Sequence, residues 1–149
     1  MNKIDFSDEY FMQQALKEAH TAYQKNEVPV GVIIVSDNII IAKSHNLTET
    51  LNDVTAHAEM LAITSATETL GGKYLNNCTM YITLEPCIMC AGALALAQLE
   101  KLVIGALDDK RGYSKFSPSP LHPKTEVVVG ILGDECGGVM REFFRGKRS

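Results

Sequence analysis

His57, Glu59, Cys87 and Cys90 constrain this chain more than any other residues. They stand in the strings Thr55-Ala56-His57-Ala58-Glu59 and Glu85-Pro86-Cys87-Ile88-Met89-Cys90. One imidazole and two thiolates make a set of three protein ligands of the kind that favours zinc, and three leave the fourth tetrahedral position open to water. The carboxylate two residues after the histidine reads as an acid/base group beside that water. The plain alternative is a buried histidine, a surface glutamate and two core cysteines. It leaves the agreement of residue type, spacing and helix position unexplained. A purely structural zinc site would need a fourth Cys or His close by. Cys78 and Cys136 have no paired spacing and read as buried free thiols.

Composition sets the bounds around this motif. The chain has 149 residues, 46% of them hydrophobic and 21% charged. That suits one domain with a real core and argues against large-scale disorder. No apolar run reaches the length of a membrane span. The first ten residues are polar and acidic, unlike a signal peptide, which points to the cytoplasm and away from disulfides. The net charge of −4 gives no global attraction to nucleic acid. RNA contact would need a local basic patch, and Arg141, Arg145, Lys147 and Arg148 near the C-terminus supply a candidate. The same residues also suit a solvated helix end.

Helical spacing, β-branched apolar runs, caps and turn residues predict an alternation of helices and strands. A first helix, capped by Ser7 or Asp8, runs to about residue 26, with Phe11, Ala15, Leu16, Ala19 and Tyr23 on one face. Residues 28–35 and 39–42 read as a hairpin closed at Asp37-Asn38. Thr55 is the expected cap of a helix over 56–70 that Gly71-Gly72 stops. Residues 79–84 form the third strand, and Pro86 suits the first turn of a helix over 87–99. Both ligand sets then sit at helix N-termini, where the dipole favours thiolates and hydroxide. Residues 102–106 and 127–132 are the fourth and fifth strands, and Asp134 can cap a last helix to about 145. The segment 107–126, with Pro118, Pro120 and Pro123, is long enough to carry function or to cross over between parallel strands. The whole predicts an α/β chain, a three-layer α/β/α sandwich on a single mixed five-stranded sheet.

The H-x-E…P-C-x-x-C pattern is the signature of zinc deaminases. Over nearly its whole length the chain resembles the bacterial tRNA adenosine deaminases. The strings that carry this are Glu27-Val28-Pro29-Val30-Gly31, His45-Asn46, Thr55 to Glu59, Tyr81 to Ala93, Gly105-Ala106-Leu107-Asp108 and Phe143-Phe144-Arg145. The resemblance implies a cytidine deaminase-like fold, one Zn2+ per subunit on His57, Cys87 and Cys90, and a homodimer. It implies hydrolysis of adenosine to inosine at the wobble position of a tRNA anticodon stem-loop, with Glu59 as proton shuttle. It also implies substrate-binding roles for Asn46, Val30, Ala58 and Asp108.

Read from the residues alone, several of these positions have a second meaning. Asn46 could bond its own backbone in a loop, Asp108 could be a turn residue beside Asp109, and Val30 could be strand core. Glu85 either orients the zinc region or charges a helix N-terminus. Lys110, Arg111, Lys115 and Lys124, interleaved with Tyr113 and Phe116, suit phosphate contact and base stacking. His20, His45 and His122 lack ligand-like spacing and read as structural or surface residues, with His45 or His122 the two that could reach a substrate. One string departs from the resemblance. Lys115-Phe116-Ser117-Pro118-Ser119-Pro120-Leu121-His122-Pro123 stands where many members carry a Gly-Ser-Leu-Met-like run. That departure and the acidic net charge leave deamination of a free base or nucleoside (guanine, cytosine or adenine type) as the alternative. A non-catalytic zinc module is the third reading, and the intact Glu59 argues against it.

Overall fold

Alternate residues of the central strands face opposite layers, in a computed structural model that describes residues 5–147. Strand β1 (Gly31–Ser36) sends Val32 and Ile34 to one side and Ile33 and Val35 to the other. In β3 (Cys78–Leu84) Met80 and Ile82 oppose Tyr81, and in β4 (Lys101–Ala106) Leu102 and Ile104 oppose Val103. This period of two on strands buried on both faces requires a cover on each. Helices α2 (Ala58–Leu70) and α3 (Ile88–Ala97) supply the first through Ala58, Ala62, Ala66, Ala91 and Leu94. Helices α1 (Asp8–Gln24) and α4 (Gly133–Lys147) supply the second through Phe11, Met12, Ala15 and Cys136. The result is the expected three-layer sandwich.

The sheet order is β2-β1-β3-β4-β5, with β2 (Ile39–His45) and β5 (Glu126–Val129) at the edges. β1 runs antiparallel to β2 and β3, and β3, β4 and β5 run parallel. The β1–β2 turn has Asp37 and Asn38 both at positive φ, 52° and 63°, the geometry of a two-residue hairpin. The connection between parallel β4 and β5 is the long proline-bearing segment, which holds only a short 3-10 turn, Tyr113–Lys115.

Several predicted boundaries move, each for a local reason. β1 begins at Gly31 because Pro29 has no N–H and the Val30 N–H turns back to the Val28 carbonyl. Thr55 does not cap α2; its N–H and hydroxyl donate to the Asp53 carboxylate, and His57 takes the cap position. Cys87, not Pro86, borders α3, and Gln98 at φ 58° ends that helix before Leu99. β5 stops at Val129 because Gly130 (φ 102°) and Leu132 (φ 53°) turn the chain away. α4 begins one residue before Asp134 and runs on to Lys147. Arg148 and the first four residues of the polar N-terminal stretch lie outside the described residues. Cys78 and Cys136 are buried free thiols, as expected. No helix among the described residues is long and apolar enough to cross a membrane.

Candidate active site

His57 is the N-cap residue of α2 and Cys87 the N-cap residue of α3, and neither side chain makes a capping hydrogen bond. Both side chains turn toward one point between the two helix starts. The His57 Nδ1 atom lies 3.7 Å from the Cys87 Sγ and 3.5 Å from the Cys90 Sγ. All three donor atoms fall within 4.8 Å of one another. A zinc ion held tetrahedrally, at ~2.3 Å from sulfur and ~2.05 Å from nitrogen, sets such N and S ligands about 3.6 Å apart. The donor set and the two His57–Cys spacings therefore fit zinc. The His57 ring also hydrogen-bonds the Val54 backbone, the kind of outer contact that holds a ligating imidazole in orientation.

The protonation pattern agrees with a ligand set. Hydrogen bonds from Cys90 and His57 push the Cys87 thiol down to about 3. The Cys90 thiol is pushed up because it donates to Cys87, with burial adding to the shift. The two shifts oppose each other because the pair shares one proton. His57 is raised above the ordinary imidazole value, first by its bond to Cys87. A cation that binds here releases these protons. Two residues on, Glu59 is 4% exposed in the first turn of α2. Burial pushes its carboxyl up to about 7, a value matched to proton transfer near neutral pH.

These groups open into a cleft of about 1030 Å³ at the ends of β2, β3 and β4. In a sheet with parallel strands, the carboxyl ends are where ligands bind. Asn46, Val30, Ala58 and Asp108 all line this cleft beside His57, Glu59 and Cys87. Asn46 directly follows β2, is buried, and places its side-chain amide 3.5 Å from the Thr48 hydroxyl. Ser44 ties the wall together by donating to the Ala58 carbonyl at 2.6 Å. Asp108 does act as a turn residue, accepting from the Lys110 and Arg111 N–H groups at 3.0 Å. It lines the cleft as well, so its two readings are compatible.

Two buried carboxyls brace the walls. The Glu27 oxygens accept from the Glu49 N–H (3.0 Å), the Thr50 N–H (2.6 Å) and the Thr50 hydroxyl (2.7 Å). Burial pulls this carboxyl upward, but those hydrogen bonds outweigh it and hold it below the ordinary carboxylate value. Glu85 accepts from the Asp108 N–H (3.0 Å) and the Ser114 N–H (2.9 Å). Both of its oxygens serve the loop after β4, a role that the sequence did not suggest.

Of the basic residues, Lys110, Arg111, Arg141 and Arg145 line the cleft, whereas Lys115, Lys124 and Lys147 do not. Tyr113 is 8% exposed and packs into the core, so it offers no face for base stacking; Phe116 is exposed but off the cleft. His45 is spanned by Glu18 and Lys25, each at 3.0 Å, and the His122 Nδ1 accepts from the Lys124 N–H. Sequence reasoning missed Val28, Thr48, Met140 and Phe144 as cleft residues. For α4 the signal was present. Gly137, Met140, Arg141, Phe144 and Arg145 follow the spacing of one helix face.

Comparison with known proteins agrees with this geometry. The pattern of the cytidine and deoxycytidylate deaminase zinc-binding region matches residues 6–106. The tRNA-specific adenosine deaminase of Aquifex aeolicus (strain VF5) is 57% identical over 146 residues, 95% of this chain and 96% of that protein. The tRNA-specific adenosine deaminase of Bacillus subtilis (strain 168) is 47% identical over 143 residues, 93% of this chain and 89% of that protein. A solved structure from studies of A-to-I editing by tRNA:A34 deaminases at the wobble position of transfer RNA superposes with a TM-score of 0.82. It is 40% identical and covers 87% of this chain and 98% of its own. Fold and ligand set define the class of zinc-dependent deaminases. Within that class, the chain belongs to the family of tRNA-specific adenosine deaminases.

Proposed function

We propose that this protein hydrolyses adenosine to inosine at the wobble position of a tRNA anticodon, with ammonia as the second product. One observation carries the reading: the His57-Cys87-Cys90 set, the buried Glu59, Asn46 and four cationic side chains all line or adjoin one cleft. His57, Cys87 and Cys90 would hold a zinc ion, which when bound would supply the Lewis acidity that makes water nucleophilic at neutral pH. Glu59 takes the proton of the attacking water as its oxygen adds to C6 of adenine, and passes it to N1. A second transfer through Glu59 protonates the amine, the C6–N6 bond breaks and the carbonyl forms. Adenosine and water thus become inosine and ammonia.

Asn46 can donate and accept at once, which suits a purine edge. Val30 and Ala58 offer apolar contact to the base, and Asp108 stands for the ribose. The cleft is at the upper end of the range for small-ligand pockets, as a nucleotide flipped out of a larger RNA would need. Lys110, Arg111, Arg141 and Arg145 suit backbone phosphates, and the half-exposed Phe144 offers a stacking face. The same reading takes residues 1–149 as one deaminase domain, working as a homodimer in the cytoplasm.

The test is an ammonia-release and inosine assay on zinc-loaded protein. It offers an adenosine-wobble stem-loop beside free bases and nucleosides. Inosine is expected in the stem-loop alone. Glu59→Ala should lose activity by about 10³-fold or more with zinc content unchanged. Turnover of a free base with the stem-loop untouched would mean that the chemistry is right and the substrate wrong.

A further inference from the structure

The loop after β4 is fastened to the segment that carries a metal ligand, and the fastener is a carboxylate. Glu85 is 3% exposed. Its Oε1 accepts the Asp108 N–H and its Oε2 the Ser114 N–H, so one side chain holds both ends of the 108–114 loop. Gly112 lies flat against the same carboxylate, and a Cβ there would overlap Glu85. Around this post the backbones are stitched: the Tyr113 N–H donates to the Pro86 carbonyl, and Cys87 and Gly112 form an antiparallel bridge. Asp108, Lys110 and Arg111, which this loop presents to the cleft, are thereby indexed to Cys87.

We infer that Glu85 is a positioning residue that fixes the Asp108 wall of the cleft relative to the metal site. The inference rests, for its kinetic consequence, on the function proposed above. The chemistry explains the residue type. Only a carboxylate accepts at both ends; a glutamine of the same shape would turn an NH2 donor toward one of the two N–H groups. Burying such a group otherwise costs stability that an apolar residue would not.

The test uses the zinc-loaded full chain with Glu85→Gln, Glu85→Ala, Gly112→Ala and the Glu85→Ala/Gly112→Ala pair. Amide hydrogen exchange at both Asp108 and Ser114 should accelerate about 10- to 100-fold in Glu85→Ala, and at one of the two in Glu85→Gln, with exchange in β1 unchanged. KM for the stem-loop should rise about tenfold while kcat stays within about threefold and zinc content holds. A side chain that only stabilised the fold would lower Tm and leave the KM of the folded protein alone. Gly112→Ala should disturb the wild-type chain far more than the Glu85→Ala chain, where the new methyl has room. Unchanged exchange at both amides overturns the clamp. Faster exchange with unchanged KM overturns its role in the cleft, and loss of zinc reassigns Glu85 to the metal. If the wild type leaves the stem-loop untouched, the proposed substrate falls, while exchange and the Gly112 comparison still decide the clamp.

Discussion

Glu27 shows what a single buried charge does for the cleft wall. Its carboxylate gathers the Glu49 and Thr50 N–H groups and the Thr50 hydroxyl behind the loop that follows Asn46. Glu27→Ala should lower stability by about 2 kcal/mol, read by urea unfolding, because three donors lose their acceptor. The pH dependence has a definite sign. The folded-state value lies below the ordinary 4.5. The contribution is therefore complete above pH 4.5 and is lost as pH falls through the lower folded value. Glu27→Gln should flatten that part of the acid-side decline; an unaltered decline would refute the assignment. At this scale the candidate ligands were legible because residue type and the short His-x-Glu and Cys-x-x-Cys spacings match the zinc deaminase pattern. Asp108 was ambiguous because its turn contacts are local while its cleft position depends on β4 meeting α4. Tyr113 was misread because nothing in a glycine- and proline-bearing stretch reveals that its ring folds back into the core.

Between elements, the closest fit is α1 on β1. Gly31 faces the backbone of α1 so tightly that a Cβ would run into the Ala15 carbonyl. Gly72, just after α2, has nothing within 4 Å of the same position. Gly31→Ala should therefore cost roughly 1–3 kcal/mol by overpacking, while Gly72→Ala stays within about 0.5 kcal/mol. Equal unfolding midpoints for the two variants would contradict this packing. The elements themselves were readable: the strands as short β-branched, apolar runs between turns, and α1 from its period of 3.6. The ends were not. Thr55 looks like a cap in one dimension, but Asp53 claims its hydroxyl and N–H first. The α2 and α3 starts were shifted because His57 and Cys87 occupy cap positions with side chains suited to metal binding rather than capping.

For the whole molecule, charge is distributed unevenly. The net charge is −4, yet Lys110, Arg111, Arg141 and Arg145 all line the cleft, where they offset the acidic Glu59, Glu85, Asp108 and Asp109 of the same lining. Activity on a stem-loop should thus fall with salt through those local contacts. Arg145→Ala should flatten the slope of log(kcat/KM) against log salt by about 0.7–0.9, the value of one phosphate contact. An unchanged slope would remove Arg145 from the RNA surface. This distribution was half legible: the residues are visible in the sequence, but only the fold selects which of them share a face. The two unoccupied helix caps carry a last consequence. Helices conventionally close their N-termini with a polar side chain worth about 0.5–2 kcal/mol each; here His57 and Cys87 make no such bond. A metal held between them fastens two helix starts that lie thirty residues apart in sequence, as a buckle joins two straps. Chelating it should let residues 58–61 and 88–91 fray together, their amides exchanging faster by a common factor, while β1 keeps its protection.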